Sequence, residues 1–148
     1  MLIFLVLFSF KAYSFSDCST GELNIPDDIN IIYDFQYAYC NEYTGSLLIP
    51  KSVETIGKYA FIDCYGLTGT LEIPETVQKI GDYAFSGCYG FNGTLKLPES
   101  IDRINSYTFN NCSSLTNTLN IPKNVKSICE YAFSGCSGFN ESLMIPDN

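Results

Sequence analysis

The chain has no histidine and no tryptophan, and only 8 of its 148 residues are Lys or Arg, against 16 Asp or Glu. Without an imidazole, Ser–His and Cys–His activation of a nucleophile are unavailable. The same absence, together with the lack of any Cys-x-x-Cys pair, removes the usual ligand set for zinc. No glycine-rich phosphate loop follows a strand-like segment. A formal net charge of −8 disfavours nucleic acid and anionic membrane surfaces, whose attraction rests on basic patches. The acidic residues, such as Glu54, Glu75, Asp82, Glu99 and Asp102, sit at variable positions that suit a solvated face better than paired-carboxylate chemistry. The expectation is therefore of a non-enzyme with no catalytic, cofactor-binding or metal-binding residues.

Long hydrophobic runs are also missing. Met1 to Phe10 is apolar and uncharged but too short to span a bilayer. It precedes Lys11-Ala12-Tyr13-Ser14-Phe15-Ser16 and reads as a signal peptide over residues 1–16, with small residues suiting cleavage after Ser14 or Ser16. A buried first strand of a truncated chain is the structural alternative. No second apolar stretch, prenylation motif or GPI-type tail follows. The expected location is secreted or cell surface, with no membrane insertion of the mature chain.

What is present is a period. An Ile-Pro or Leu-Pro pair recurs at Ile25, Ile49, Ile73, Leu97, Ile121 and Ile145, every 24 residues without an insertion. A unit of that length buries its apolar face only by stacking on its neighbours, which makes a repeat solenoid. In the copy from Leu71 to Thr94, the alternation of Leu71, Glu72 and Ile73 predicts a short strand with one face buried. Pro74 ends it, since proline supplies no N–H to a ladder. Val77 and Ile80 begin a second, less regular extended segment, closed by Gly81. Tyr83-Ala84-Phe85 is too short for an ordinary helix and predicts a tight turn or one 3₁₀ turn that drops Ala84 and Phe85 inward. Gly90 and Gly93 supply the last corner.

Two copies carry a family resemblance. Leu47-Leu-Ile-Pro-Lys-Ser-Val-Glu-Thr-Ile-Gly-Lys-Tyr-Ala-Phe-Ile-Asp-Cys64 and Leu71-Glu-Ile-Pro-Glu-Thr-Val-Gln-Lys-Ile-Gly-Asp-Tyr-Ala-Phe-Ser-Gly-Cys88 resemble the BspA-like leucine-rich repeats. The resemblance runs over nearly all of Leu23 to Pro146. It implies a leucine-rich-repeat solenoid of parallel strands in a surface or secreted protein, often associated with attachment to host proteins or other cells, and no catalytic residues. Residues 17–46 are read as an N-terminal cap with a degenerate first repeat, because Tyr33-Asp34-Phe35-Gln36-Tyr37 stands where later copies have Gly-x-Tyr-Ala-Phe. Residues 47–142 form four regular repeats, and 143–148 start a sixth. Either Ser142 to Asn148 seals the fifth coil, or the chain is a fragment of a longer product.

Seven cysteines in a secreted chain would ordinarily suggest disulfides. Here Cys40, Cys64, Cys88, Cys112 and Cys136 recur at the repeat period and predict a ladder of buried thiols, with parallel Cβ vectors that oppose bonding between neighbours. Cys18 and Cys129 fall off that period, as reactive thiols, partners for another chain or unpaired structural cysteines.

Three surface features bear on partners. The middle residue of each Leu-x-Ile strand gives a row of Asn24, Leu48, Glu72, Lys96, Asn120 and Met144, which changes while its neighbours do not. It is the candidate partner-binding row, with relaxed constraint at solvent positions as the alternative. Tyr59, Tyr83, Tyr107 and Tyr131 form a second row, read as packing with hydroxyls at the surface. Asn92-Gly93-Thr94 and Asn140-Glu141-Ser142 are candidate N-glycosylation sites at equivalent corners, while Asn111-Cys112-Ser113 lies beside a ladder cysteine. The expected function is adhesive interaction with an extracellular protein or glycan. The alternative is a non-binding spacer within a longer surface protein.

Overall fold

The computed structural model describes Cys18 and residues 20–140. The expected signal peptide, the start of the sixth repeat and Met144 lie outside those residues. Nine two-residue strands occur among them, all paired in parallel and none by a hairpin. β1 (Ile31–Ile32), β3 (Thr55–Ile56) and β6 (Lys79–Ile80) form one sheet in which Ile32, Ile56 and Ile80 are in register. β8 (Arg103–Ile104) and β9 (Ser127–Ile128) pair in the same way. β5 (Leu71–Glu72) pairs with β7 (Leu95–Lys96), and β2 (Gly45–Ser46) with β4 (Leu67–Thr68). Apart from the last pair, each register joins residues one repeat apart, so successive copies stack as coils of a solenoid.

The better-formed ladder is not the predicted one. Among the described residues the Leu-x-Ile segment forms named strands at β5 and β7, whereas the segment after the proline carries strands in all five coils. Side-chain alternation reports which face is buried, while ladder continuity depends on how straight the backbone runs between coils. Leu71 and Ile73 are buried and Glu72 is exposed, as the alternation requires.

The Tyr-Ala-Phe segment adopts the turn alternative in an unusual form. Ala84, Ser86 and Cys88 donate their N–H groups three residues back, to Gly81, Tyr83 and Phe85. Tyr83, Phe85 and Gly87 donate instead to the next coil, to the carbonyls of Ser106, Thr108 and Asn110 at 2.8–3.0 Å. Alternation between local and inter-coil bonds satisfies this buried backbone without a helix. It requires a left-handed residue every fourth position: Tyr83 has φ 57° and Gly87 φ 75°. Tyr59, Tyr107 and Tyr131 repeat the Tyr83 conformation. That conformation costs an L-residue roughly 1–2 kcal/mol, and the stacking of the same rings offsets it. Phe35, Tyr59, Tyr83, Tyr107 and Tyr131 form one column with centroids 4.5–4.9 Å apart.

Glycine serves a different purpose at the corner. Gly90 does not have a positive φ; a Cβ there would collide with the carbonyl oxygens of Tyr65 and Leu67 in the preceding coil. Gly66 stands equally close to Tyr43 and Asn41.

Inside, columns of like side chains fill the core. Phe61, Phe85 and Phe109 are fully buried and stack at 5.1 and 5.7 Å, continued by Tyr37 at one end and Phe133 at the other. The first coil, divergent in sequence, keeps the same columns: Phe35 stands in the tyrosine column, Tyr37 in the phenylalanine column, and Tyr43 is buried where later coils have Leu67 and Phe91.

Candidate functional site

Asn24, Leu48, Glu72, Lys96 and Asn120 are all exposed on one side of the stack, and Met144 falls outside the described residues. Leu48 is 75 % exposed, a large apolar side chain with no core to fill. Glu72 and Lys96 face each other in the β5–β7 register, and the Lys96 ammonium lies 2.8 Å from the Glu72 carboxylate. Half a coil away a second pair has the same form: Lys58 Nζ lies 2.8 Å from Asp82 Oδ2, and the Lys58 N–H donates to Asp34 Oδ1 at 2.7 Å. Asp82 beside it raises the Lys58 ammonium above its ordinary range.

The cysteine column is buried at Cys64, Cys88 and Cys112 and half-buried at Cys136, and its sulfur atoms have partners. Cys64, Cys88, Cys112 and Cys136 each donate an S–H to the preceding coil, to the carbonyls of Tyr37, Phe61, Phe85 and Phe109 at 2.8–3.1 Å. Burial pushes the Cys64 thiol up to about 12 and Cys136 to about 11, and drives Cys88 and Cys112 strongly in the same direction. The thiolate is the reactive form, so these sulfurs are inert near neutral pH. Cys64, Cys88 and Cys112 are expected to resist alkylation in the folded protein and to label fully after denaturation, as read by non-reducing mass spectrometry. Labelling of the folded protein, or a disulfide joining two of them, would overturn the assignment.

The expected ladder is corrected at its first rung. Cys40 is not a thiol: it is disulfide-bonded to Cys18, with the Cα atoms 5.2 Å apart. Cys18 is not off the column either, because the chain before the first coil stacks in a register of 22, shown also by the parallel bridge of Gly21 to Tyr43. The later cysteines each donate to the carbonyl of the aromatic residue one coil back, whereas the first rung is closed covalently to Cys18. Sequence reasoning missed this, although a signal exists. Cys18-Ser-Thr-Gly21 is a copy of Cys40-Asn-Glu-Tyr-Thr-Gly45 shortened by two residues. Cys129 remains a free, half-buried thiol where the second and third coils have Gly57 and Gly81.

Of the sequons, Asn92 is exposed and its Oδ1 accepts the Gly69 N–H at 3.0 Å, while Asn140 is exposed at the end of the described residues. Asn111 is exposed next to buried Cys112. Among the described residues no cluster of His, Cys, Asp and Glu could hold a metal ion, and no helix is long and apolar enough to cross a membrane.

Stacked parallel coils with Leu-x-Ile-Pro, Gly-x-Tyr-Ala-Phe and a buried cysteine column define a leucine-rich-repeat solenoid. The family profile described as "BspA type Leucine rich repeat region" matches residues 7–92 and 67–148, in six copies in all, and the chain belongs to that family. Two crystal structures share the fold. The T. pallidum leucine-rich repeat protein TpLRR is 27% identical with a TM-score of 0.69, over 82% of this chain and 57% of that one. A leucine-rich repeat protein from Bacteroides ovatus is 28% identical with a TM-score of 0.63, over 86% of this chain and 37% of that one. The chain therefore spans less than two thirds of the length of either. No curated protein is similar enough to match.

Proposed function

We propose that the chain is a secreted or cell-surface adhesive module that attaches to an extracellular protein or glycan through the strand-centre row. The observation that carries this reading is the contrast between frame and row. Columns on either side hold Leu or Ile in every coil, while the row between them presents Asn24, Leu48, Glu72, Lys96 and Asn120 to solvent. Two further points support the location. The Cys18–Cys40 disulfide belongs to oxidising compartments, and BspA-type repeats are typical of cell-surface proteins.

The test uses two matched charge pairs. Glu72→Gln with Lys96→Gln is expected to weaken attachment to a host surface or partner cell by about tenfold, the scale of one lost interface contact. Lys58→Gln with Asp82→Asn removes an equivalent inter-coil pair from another side and should leave attachment intact. Exposed ion pairs are screened by solvent and add little to the fold, so both variants should melt close to the parent. If both pairs are neutral and deletion of a whole coil is neutral too, the segment is a spacer.

A further inference from the structure

One outward column carries no charged residue in any coil. Its members in successive coils are Asn41, Tyr65, Tyr89, Ser113 and Ser137. Tyr65 and Tyr89 stack with parallel rings at 5.0 Å and an interplanar angle of 5°, and are 39 % and 47 % exposed. In the Tyr59–Tyr83–Tyr107 column each of those three rings is covered on both faces by its neighbours. Tyr89 is different: Tyr65 covers one face, and the next coil offers the small Ser113 opposite the other. Because Ser113 and Ser137 occupy the same column, the coil frame accepts serine there, and packing does not account for the two tyrosines. The platform is rigid, since Gly90, next to Tyr89, lies against the Tyr65 carbonyl and Asn41 donates to the Tyr65 hydroxyl.

The surroundings define the chemistry. Residues 65–70, 89–94, 113–118 and 137–140 contain no Asp, Glu, Lys or Arg, in a chain with a net charge of −8, and the equivalent stretch of the first coil, 41–46, carries one acid, Glu42, exposed beside Asn41. Thr68, Asn92, Thr116 and Asn140 line the neighbouring column. The backbone there is already bonded coil to coil, Gly93 N–H to Gly69 and Thr116 N–H to Gly93 at 2.9–3.0 Å, so a peptide finds no open edge to extend. A bare ring face beside uncharged hydroxyls and amides matches a ligand with one apolar C–H face and a rim of hydroxyls. We propose that the Tyr65–Tyr89 pair, with Ser113 beside it, is a binding subsite for an uncharged pyranose of a partner's glycan. This subsite is separate from the strand-centre row, so the two can fail independently.

The experiment is saturation-transfer NMR of the full chain, expressed without glycosylation so that no glycan on Asn92 contributes. The probes are neutral trisaccharides of glucose, galactose, mannose and N-acetylglucosamine. At least one should receive saturation through its ring C–H protons. Tyr89→Ser should weaken that binding by about tenfold, equivalent to the loss of one ring contact, while Tyr89→Phe keeps it and the Glu72/Lys96 double variant leaves it unchanged. Failure of all four sugars to bind the parent, binding that survives Tyr89→Ser, or a Tyr89-dependent interaction confined to peptides would each overturn the proposal.

Discussion

Phe85→Ala is expected to destabilise the protein by about 3–5 kcal/mol, the range for truncating a large buried aromatic residue. Phe85 is fully buried and lies between the rings of Phe61 and Phe109 at 5.1 and 5.7 Å. Its backbone is also committed, with the N–H donated to Thr108 and the carbonyl accepting the Cys112 thiol. Neighbouring coils cannot collapse into the void, because inter-coil hydrogen bonds on both sides hold their spacing. Nor can the loss stay within one coil, since each coil is stabilised chiefly by the two it touches. Glu72→Ala, in the same coil, should change stability by no more than about 0.5 kcal/mol. Urea melts of the two variants decide the matter. Equal shifts would mean that the inward and outward columns have been misassigned.

The columns themselves were legible because a period of 24 residues with no insertion fixes which residues stack. An aliphatic or phenylalanine position kept from copy to copy is expected to face inward, and Leu71, Ile73, Val77, Ile80, Phe85 and Phe91 do. What the pattern could not convey was the backbone path between columns. The left-handed region is usually assigned to glycine or asparagine, so a tyrosine there gives no local cue. The conformation at Tyr83 is held by the rings stacked above and below it, contacts that exist only once the coils are assembled. The same reason hides the role of Gly90, which leaves room for a carbonyl of another coil.

The candidate surfaces divide in the same way. That Glu72 and Lys96 adjoin follows from the period alone, and they form an ion pair at 2.8 Å. The bare face of Tyr89 does not follow from any one copy. It depends on what the next coil places opposite, a serine in this chain where an aromatic residue would have closed the stack. Comparing columns down the stack, rather than residues along the chain, is what exposes such positions.

Removing the Cys18–Cys40 disulfide has the second large expected effect. The bridge closes a loop of 22 residues, and the chain-entropy relation puts the loss at about 3 kcal/mol when such a cross-link is absent. Its position adds to the consequence. The first coil has a neighbour on its C-terminal side in the second; on the other side, among the described residues, it has Cys18 and the short stretch from Thr20 to Glu22, held by the bridge and by the Gly21–Tyr43 contact. Without the bridge, Leu23, Ile25, Tyr37 and Tyr43, all buried in the intact protein, lose part of their cover. Unfolding should then begin at this end and be read first in hydrogen exchange of residues 20–46, before the amides around Phe85 respond. The Cys18→Ala, Cys40→Ala variant is accordingly expected to melt well below the parent. Dithiothreitol should lower the parent towards the variant and leave the variant where it is, because the remaining cysteines are free thiols. A parent whose melting ignores the reductant, or a variant whose loss of protection starts in the central coils, would show that the bridge does not anchor the first coil.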